Sequence, residues 1–241
     1  MSSYRASHMG EDRGAQYDAT HANKVDAHIW DAFIKDLLRE RLEACAAAGG
    51  TRYLDFACGT GRVLKVGAPF FESATGIDIS EDMLVVARER NPEATIHCGD
   101  VTSGELDVEG SFDCVTLFRF LLNAEYELNI KVLEWLAAHM KPGAILIANN
   151  HMNTASFRGV ATVLSNAILH TKHNQLSRRR CFEMLESSGF RLLNVYGYRV
   201  LPSFKGKPIL GKSVQTTFER VLNGIGLGRL GAEQVIVAER L

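Results

Sequence analysis

Three acidic residues and one bend of small residues are the groups in this 241-residue chain best suited to grip a nucleoside. The bend is Asp55-Phe56-Ala57-Cys58-Gly59-Thr60-Gly61, where an apolar burst gives way to a short helical segment. Small residues at Ala57, Gly59 and Gly61 let the backbone come close to a ligand, and a helix start offers N–H groups that lack intrahelical partners. A Gly-x-Gly turn also arises for purely conformational reasons, so the bend alone decides little. Asp78 adds weight. It ends the next apolar burst, 17 residues after Gly61, where doubly wound folds place a carboxylate that accepts both ribose hydroxyls. Gly99-Asp100-Val101 follows the third burst, where an acid can accept the exocyclic amine of adenine. Singly, each acid reads as a loop or capping residue. In order, at the ends of successive strands, they read as a nucleoside site.

Proton transfer near neutral pH calls for an imidazole, and His151 lies just past the fifth strand, at the sheet edge where acceptors sit. It is the candidate base, with a hydrogen-bonding loop residue as the other reading. His21 and His28 fall in an N-terminal helical region. His170 and His173 lack a companion carboxylate at ligand spacing, so no metal site is expected. Arg178-Arg179-Arg180 reads as a surface cluster at a helix start, or as a clamp for a phosphorylated acceptor.

The elements that must position these residues follow from periodicity. Residues 1–14 are polar and expected to be disordered. From Asp26 to Ala48 the apolar spacing is helical, through Ile29, Phe33, Leu37 and Leu38, and Gly49-Gly50 ends it. Strands are expected at 53–57, 74–79, 95–98, 112–118, 144–148, 192–198 and 234–238. Ser80 is placed as the N-cap of a helix carrying Met83, Val86 and Ala87. A helix over Leu122–Met140 is stopped by Lys141-Pro142-Gly143, and another over Ser177–Ser188 by Gly189. Strands alternating with helices predict an α/β fold whose parallel sheet is covered on both faces. Residues 15–241 form one domain, with a helical cap at 15–49 and insertions at 150–176 and 200–231. Such insertions carry acceptor specificity or decorate the surface. The amphipathic stretch Thr217–Leu230 closes the pocket or rests on a membrane.

This set resembles the class I S-adenosylmethionine-dependent methyltransferases, by specific motifs over residues 51–150 and elsewhere by strand order alone. The resemblance implies a doubly wound, Rossmann-like, seven-stranded sheet of order 3-2-1-4-5-7-6 with strand 7 antiparallel. It implies S-adenosylmethionine as cofactor and S-adenosylhomocysteine as product. By it, Asp55 and the Ala57–Gly61 turn hold the methionine part and Asp78 the ribose. Ile79 and Met83 pack on the adenine, and Asp100, with Val101 beside it, holds the adenine amine. Phe118 in Phe118-Arg119-Phe120 matches a position that walls the sulfonium, where an aromatic face suits a cation. Phe120 reads as core. Tyr17 in Gln16-Tyr17-Asp18 matches an aromatic that closes over the cofactor in many small-molecule members. Asn149-Asn150-His151 and residues 118–125 are similar to members that modify sugars, glycans and natural products.

The expected acceptor is therefore a small molecule, sugar-containing or anionic, methylated first on a hydroxyl and second on an amine. A lipid-linked glycan ranks third, and a non-catalytic cofactor-binding module is the remaining alternative. A nicotinamide dehydrogenase requires a small residue where Leu64 stands and leaves Gly99-Asp100 unexplained. The Asn/Asp-Pro-Pro-Tyr run of DNA and amide methyltransferases is replaced by Leu117-Phe118-Arg119-Phe120.

Composition agrees with a small-molecule enzyme. A net charge of −1 excludes the uniformly basic surface of a general nucleic-acid binder. Residues 158–241 nevertheless hold 13 Lys+Arg against 5 Asp+Glu, so the basic charge gathers there. It reads as a solvated surface, or as a draw for an anionic acceptor or an acidic membrane surface. Five scattered cysteines without a C-x-x-C pair fit a reducing cytoplasm. Met1–Asp18 has no signal-peptide character, and no apolar run reaches the ~20 residues of a membrane span.

Overall fold

Seven strands assemble into one sheet, and its central strands are buried on both faces. The chain is represented by a computed structural model that describes residues 30–104, 106, 108–169, 176–200, 203–204, 207–208 and 212–241. The strands are β1 (Arg52–Phe56), β2 (Ser73–Asp78), β3 (Thr95–Cys98), β4 (Phe112–Leu117), β5 (Met140–Asn150), β6 (Phe190–Tyr198) and β7 (Glu233–Arg240). Their order is β3-β2-β1-β4-β5-β7-β6. β1 to β5 pair in parallel, and β7 runs antiparallel between β5 and β6. The helices are α1 (Lys35–Ala47), α2 (Leu64–Gly67), α3 (Glu81–Arg90), α4 (Tyr126–Ala138), α5 (Phe157–Leu169), α6 (Arg178–Ser187) and α7 (Lys212–Gly224).

Alternation along the strands divides the core in two. On one face, Leu54, Val115, Leu117 and Leu146 pack under Leu133 and Leu136 of α4 and Met184 and Leu185 of α6. On the other, Tyr53, Cys114 and Ile147 pack under Leu38 and Leu42 of α1 and Leu64 of α2. This two-sided burial holds the parallel strands together, because βαβ crossovers place helices on each face.

Two local differences from the sequence reading have physical causes. β5 starts at Met140 and runs through Lys141-Pro142-Gly143 instead of starting at Ala144. Pro142 has no N–H to donate, yet it sits in a gap of the ladder. β4–β5 pairing joins Phe112 to Met140 and resumes at Cys114 and Ile145, where the β7 pairing also begins. α4 starts at Tyr126 rather than Leu122, because Asn129 Nδ2 donates to the carbonyls of Leu121 and Ala124 and holds that stretch as a turn. A wider π-helical turn, Trp30–Ile34, leads into α1. The readings at 1–14 and 15–29, and those of His170 and His173, lie outside the described residues. No helix among the described residues is long and apolar enough to cross a membrane.

The insertions contain structure of their own. Residues 150–176 hold α5. Residues 200–231 hold a minimal hairpin (Ser203–Phe204 with Lys207–Pro208), α7, and a 3₁₀ turn at Leu227–Leu230.

Candidate active site

At the carboxyl end of β1 the chain must leave the sheet and enter α2 within seven residues. It does so through alternate left-handed positions, with φ of 56° at Ala57, 52° at Gly59 and 71° at Gly61. The turn is pinned by Cys58 N–H donating to Ile77 O (3.0 Å) and Gly61 N–H to Cys58 O (2.9 Å). Gly61 must be glycine for a local reason. A Cβ there would meet Asn91 Nδ2 at 2.4 Å and Ala87 Cα at 3.2 Å. Asn91 cannot easily yield, since its Nδ2 donates to Gly61 O (3.1 Å) and Ala87 O (3.0 Å). Gly61→Ala is expected to cost about 2 kcal/mol or more, from left-handed strain plus overpacking. Urea unfolding checks this, and an unchanged midpoint would show that α3 moves aside freely.

Asp78 closes β2 and joins two loops. Its Oδ2 accepts from Gly59 N–H at 2.8 Å and its Oδ1 from Ser80 N–H at 3.0 Å. The carboxylate is thus fixed between the β1 turn and the start of α3. Beside it opens a narrow slot. Phe56, Ile77, Phe120, Leu128 and Val132 form its apolar lining, and Ala57, Asp78, Ile79, Gly99, Asp100 and Val101 complete it. Phe56 and Phe120 meet edge to face, with ring centroids 5.6 Å apart and planes at 89°. Asp100 is held by an Asx turn: its Oδ1 accepts from Thr102 N–H (2.8 Å) and Thr102 Oγ1 (2.7 Å). An apolar slot with carboxylates at its rim suits a flat heterocycle with polar edges.

Asp55 lies beneath this turn, 1% exposed. Its Oδ1 accepts from the Thr116 hydroxyl (2.7 Å), which in turn shares a 2.7 Å hydrogen bond with Tyr53 OH. Its Oδ2 is buried without a hydrogen bond of good geometry. Burial raises the Asp55 carboxyl from 3.8 to about 7, opposed by the Thr116 hydroxyl and the Leu64 amide and aided by the charge of Asp78.

The loop after β4 decides which aromatics face the slot. Arg119 takes a left-handed φ of 58°, stabilised by its N–H donating to Asn149 Oδ1 (2.6 Å) and by Asn123 Nδ2 donating to its carbonyl (2.6 Å). Phe120 thereby packs on the α4 side and lines the slot, while Phe118 packs on the α1 side. There Phe118 meets Trp30 edge-on at 6.2 Å, and Arg62 lies over the same indole.

Of the sequence candidates, Ala57, Asp78, Ile79, Asp100 and Val101 meet at the slot. Gly59 binds the Asp78 carboxylate through its N–H. Met83 is buried in the first turn of α3 and is not among the residues lining the slot. His151 is half-buried one residue past β5, next to the Asn149-Asn150 pair that ends the strand. Tyr17, His21 and His28 lie outside the described residues. The slot residues Phe56, Ile77, Phe120, Leu128 and Val132 were not singled out as ligand contacts from sequence. They carry only the apolar spacing of core positions, and Phe120 serves both purposes. A buried ion pair away from the slot lining also had no sequence signal: Arg199 Nη1 to Glu233 Oε1, 2.9 Å.

With the geometry in view, comparison with known proteins adds three findings. Residues 54–143 match the family described as "Methyltransferase domain". The chain is 35% identical over 135 residues to dTDP-3-amino-3,6-dideoxy-alpha-D-glucopyranose N,N-dimethyltransferase of Streptomyces fradiae, covering 54% of this chain and 50% of that protein. A second relative, dTDP-3-amino-3,4,6-trideoxy-alpha-D-glucopyranose N,N-dimethyltransferase of Streptomyces venezuelae, is 35% identical over 116 residues, covering 47% and 46%. The chain thus spans about half the length of the curated relatives it matches. Among solved structures, magnesium protoporphyrin IX methyltransferase of Synechocystis with bound S-adenosylhomocysteine shares the fold, with a TM-score of 0.62, 16% identity, and 95% of each chain covered.

Proposed function

We propose, from the match of residues 54–143 to a methyltransferase domain, that the chain is a class I S-adenosylmethionine-dependent methyltransferase that methylates an amino group on a small, sugar-containing acceptor. The observation that carries the cofactor half is the Asp78 carboxylate, fixed by Gly59 and Ser80 at the lip of an apolar slot whose other lip holds Asp100.

The residues present fit an adenosyl sulfonium. Asp78, with both oxygens oriented by backbone donors, would accept the ribose hydroxyls. Ile79, Val101 and Phe120 would enclose the adenine, and Asp100 would take its amine. The buried Oδ2 of Asp55 lacks a good donor and carries a carboxyl near neutrality, so a cationic amino group above the Ala57–Gly61 turn would complete it. When bound, the cofactor supplies an electrophilic methyl group on a sulfur that leaves as a neutral thioether. The protein then has to align the acceptor lone pair with that methyl carbon and accept the proton the nitrogen releases.

The amine replaces the hydroxyl as the favoured acceptor because the two relatives above are N,N-dimethyltransferases of amino sugars. The chemistry agrees. A neutral amine attacks without prior proton removal, whereas an alcohol requires a base or a metal in the transfer step itself. The test is incubation with methyl-labelled S-adenosylmethionine and paired sugar nucleotides that differ only in bearing an amino or a hydroxyl group. Label on the amino sugar supports the reading. Label on the hydroxy sugar alone overturns the amine but keeps the methyl transfer, and absence of both cofactor binding and label overturns the whole.

His151 is the group we assign to the proton. His151→Ala is expected to lower kcat about a hundredfold while leaving affinity for S-adenosylhomocysteine unchanged. Full turnover in that variant would remove His151 from the reaction.

A further inference from the structure

Two thiols meet at the edge of the sheet where β4 and β5 begin, away from the slot. Cys45 follows Leu38 and Leu42 on the face of α1 that packs onto the sheet. Cys114 reaches the same layer through an irregularity in β4. Residues two apart on a regular strand share a face, yet Phe112 packs in the α4 layer and Cys114 in the α1 layer. The register of β4 on β5 shifts between them, and a bulge of this kind re-aims the side chain that follows it. Gly50 lets the end of α1 come close to the bulge. A Cβ there would meet Cys45 O at 2.9 Å and Asp113 Cβ at 3.2 Å. The Cys45 thiol donates to Asp113 O at 3.4 Å, the carbonyl of the peptide that enters Cys114.

The two sulfurs differ in access and in acidity. Cys45 is half-buried and lines an open cavity with Arg41, Asp113 and Lys141, whereas Cys114 is 0% exposed. A hydrogen bond from the Cys114 thiol holds the Cys45 thiol below its ordinary value, against burial and the charge of Asp113. The same contact, with burial, pushes the Cys114 thiol well up. Cys58, Cys98 and Cys181 are all raised as well, chiefly by burial. Cys45 is therefore the most readily ionised of the five thiols, and the thiolate is the nucleophile. A reachable thiolate beside a second, sheltered sulfur is the arrangement in which a first oxidation is resolved within the protein.

We propose that Cys45 and Cys114 form an oxidative modification site, which hydrogen peroxide closes to a disulfide. The Cys45 thiolate attacks one peroxide oxygen. An S–O bond forms, the O–O bond breaks, and the departing hydroxide takes up the proton released by Cys45 to become water. The Cys114 sulfur then attacks the sulfur of the Cys45 sulfenic acid. The S–S bond forms, the S–O bond breaks, and hydroxide leaves with the Cys114 proton as a second water. Two electrons pass from the thiol pair to the peroxide. Neither step involves the slot or its cofactor, so the site stands apart from the methyl transfer proposed above.

The reduced full chain, treated with a small excess of hydrogen peroxide, is denatured and titrated for free thiols. The count is expected to fall from five to three. Peptide mass spectrometry without reductant should find the Cys45 and Cys114 peptides joined, and dithiothreitol should release them. Cys114→Ala should stop at the Cys45 sulfenic acid, trapped by dimedone, and Cys45→Ser should leave Cys114 reduced. If either variant fails to fold, the joined peptides of the wild type still decide. An unchanged thiol count, oxidation of the exposed Cys98 while Cys45 stays reduced, or Cys45 oxidised with Cys114 still free overturns the proposal. A bond from Cys45 to a second copy of the chain, seen as a reducible dimer, overturns it too.

Discussion

Asp78→Ala should weaken binding of S-adenosylmethionine and S-adenosylhomocysteine by about two orders of magnitude or more. A hydrogen bond to a charged carboxylate contributes roughly 1.5–3 kcal/mol, and two would face the ribose, at ~1.4 kcal/mol per tenfold. The same side chain receives Gly59 N–H and Ser80 N–H, so its removal also frees the two loops that shape the slot. Asp78→Asn separates these contributions. An amide keeps one oxygen to accept a backbone bond but presents its NH₂ to the other donor, so it should recover little affinity. Calorimetric titration with S-adenosylhomocysteine reads the effect, and an unchanged Kd in the alanine variant would exclude Asp78 from the ribose.

Asp55 should make both stability and cofactor affinity depend on pH, in opposite directions. Its carboxyl rises from 3.8 to about 7 on folding, so the native state holds the proton more tightly than the unfolded chain does. The stability it contributes is therefore complete below pH ~4, falls as pH rises towards 7, and is level above. The loss amounts to about 4 kcal/mol for a shift of three units. Asp55→Asn removes this dependence, so the variant should gain on the wild type in denaturant unfolding at pH 8 relative to pH 5. For the cofactor the sign reverses, because a cation above the turn favours the ionised carboxylate. Affinity should rise by up to about tenfold per unit as pH approaches 7, and proton release should appear as buffer-dependent heat. The asparagine variant should bind weakly and with a flat pH response. Parallel pH profiles for wild type and variant, in both measurements, would show that Asp55 is ionised throughout.

The backbone of this fold was legible because its signals are local. Five apolar bursts alternating with helical segments leave few arrangements besides a doubly wound parallel sheet, and Asp78 and Asp100 lie where such sheets bind nucleosides. The slot's apolar lining was not legible. Leu128 and Val132 are spaced as any buried helix face, and Phe56 as any strand residue, so nothing in their order distinguishes a core contact from a ligand contact. The same holds for β5. Lys141-Pro142-Gly143 is read as the stop of the preceding helix, but the strand runs through it because pairing to β4 resumes, and pairing to β7 begins, only at Ile145. The pairing of Arg199 with Glu233 depends on a contact between segments far apart in sequence, which local patterns do not encode.

The left-handed Arg119 has one more consequence. It sends consecutive aromatics to opposite sides of the sheet, Phe120 to the slot and Phe118 to Trp30, and the side-chain amides of Asn149 and Asn123 clasp it. Asn149 sits two residues before His151 on the same stretch of chain. The turn that places Phe120 in the slot is therefore fastened to the same strand end that carries His151.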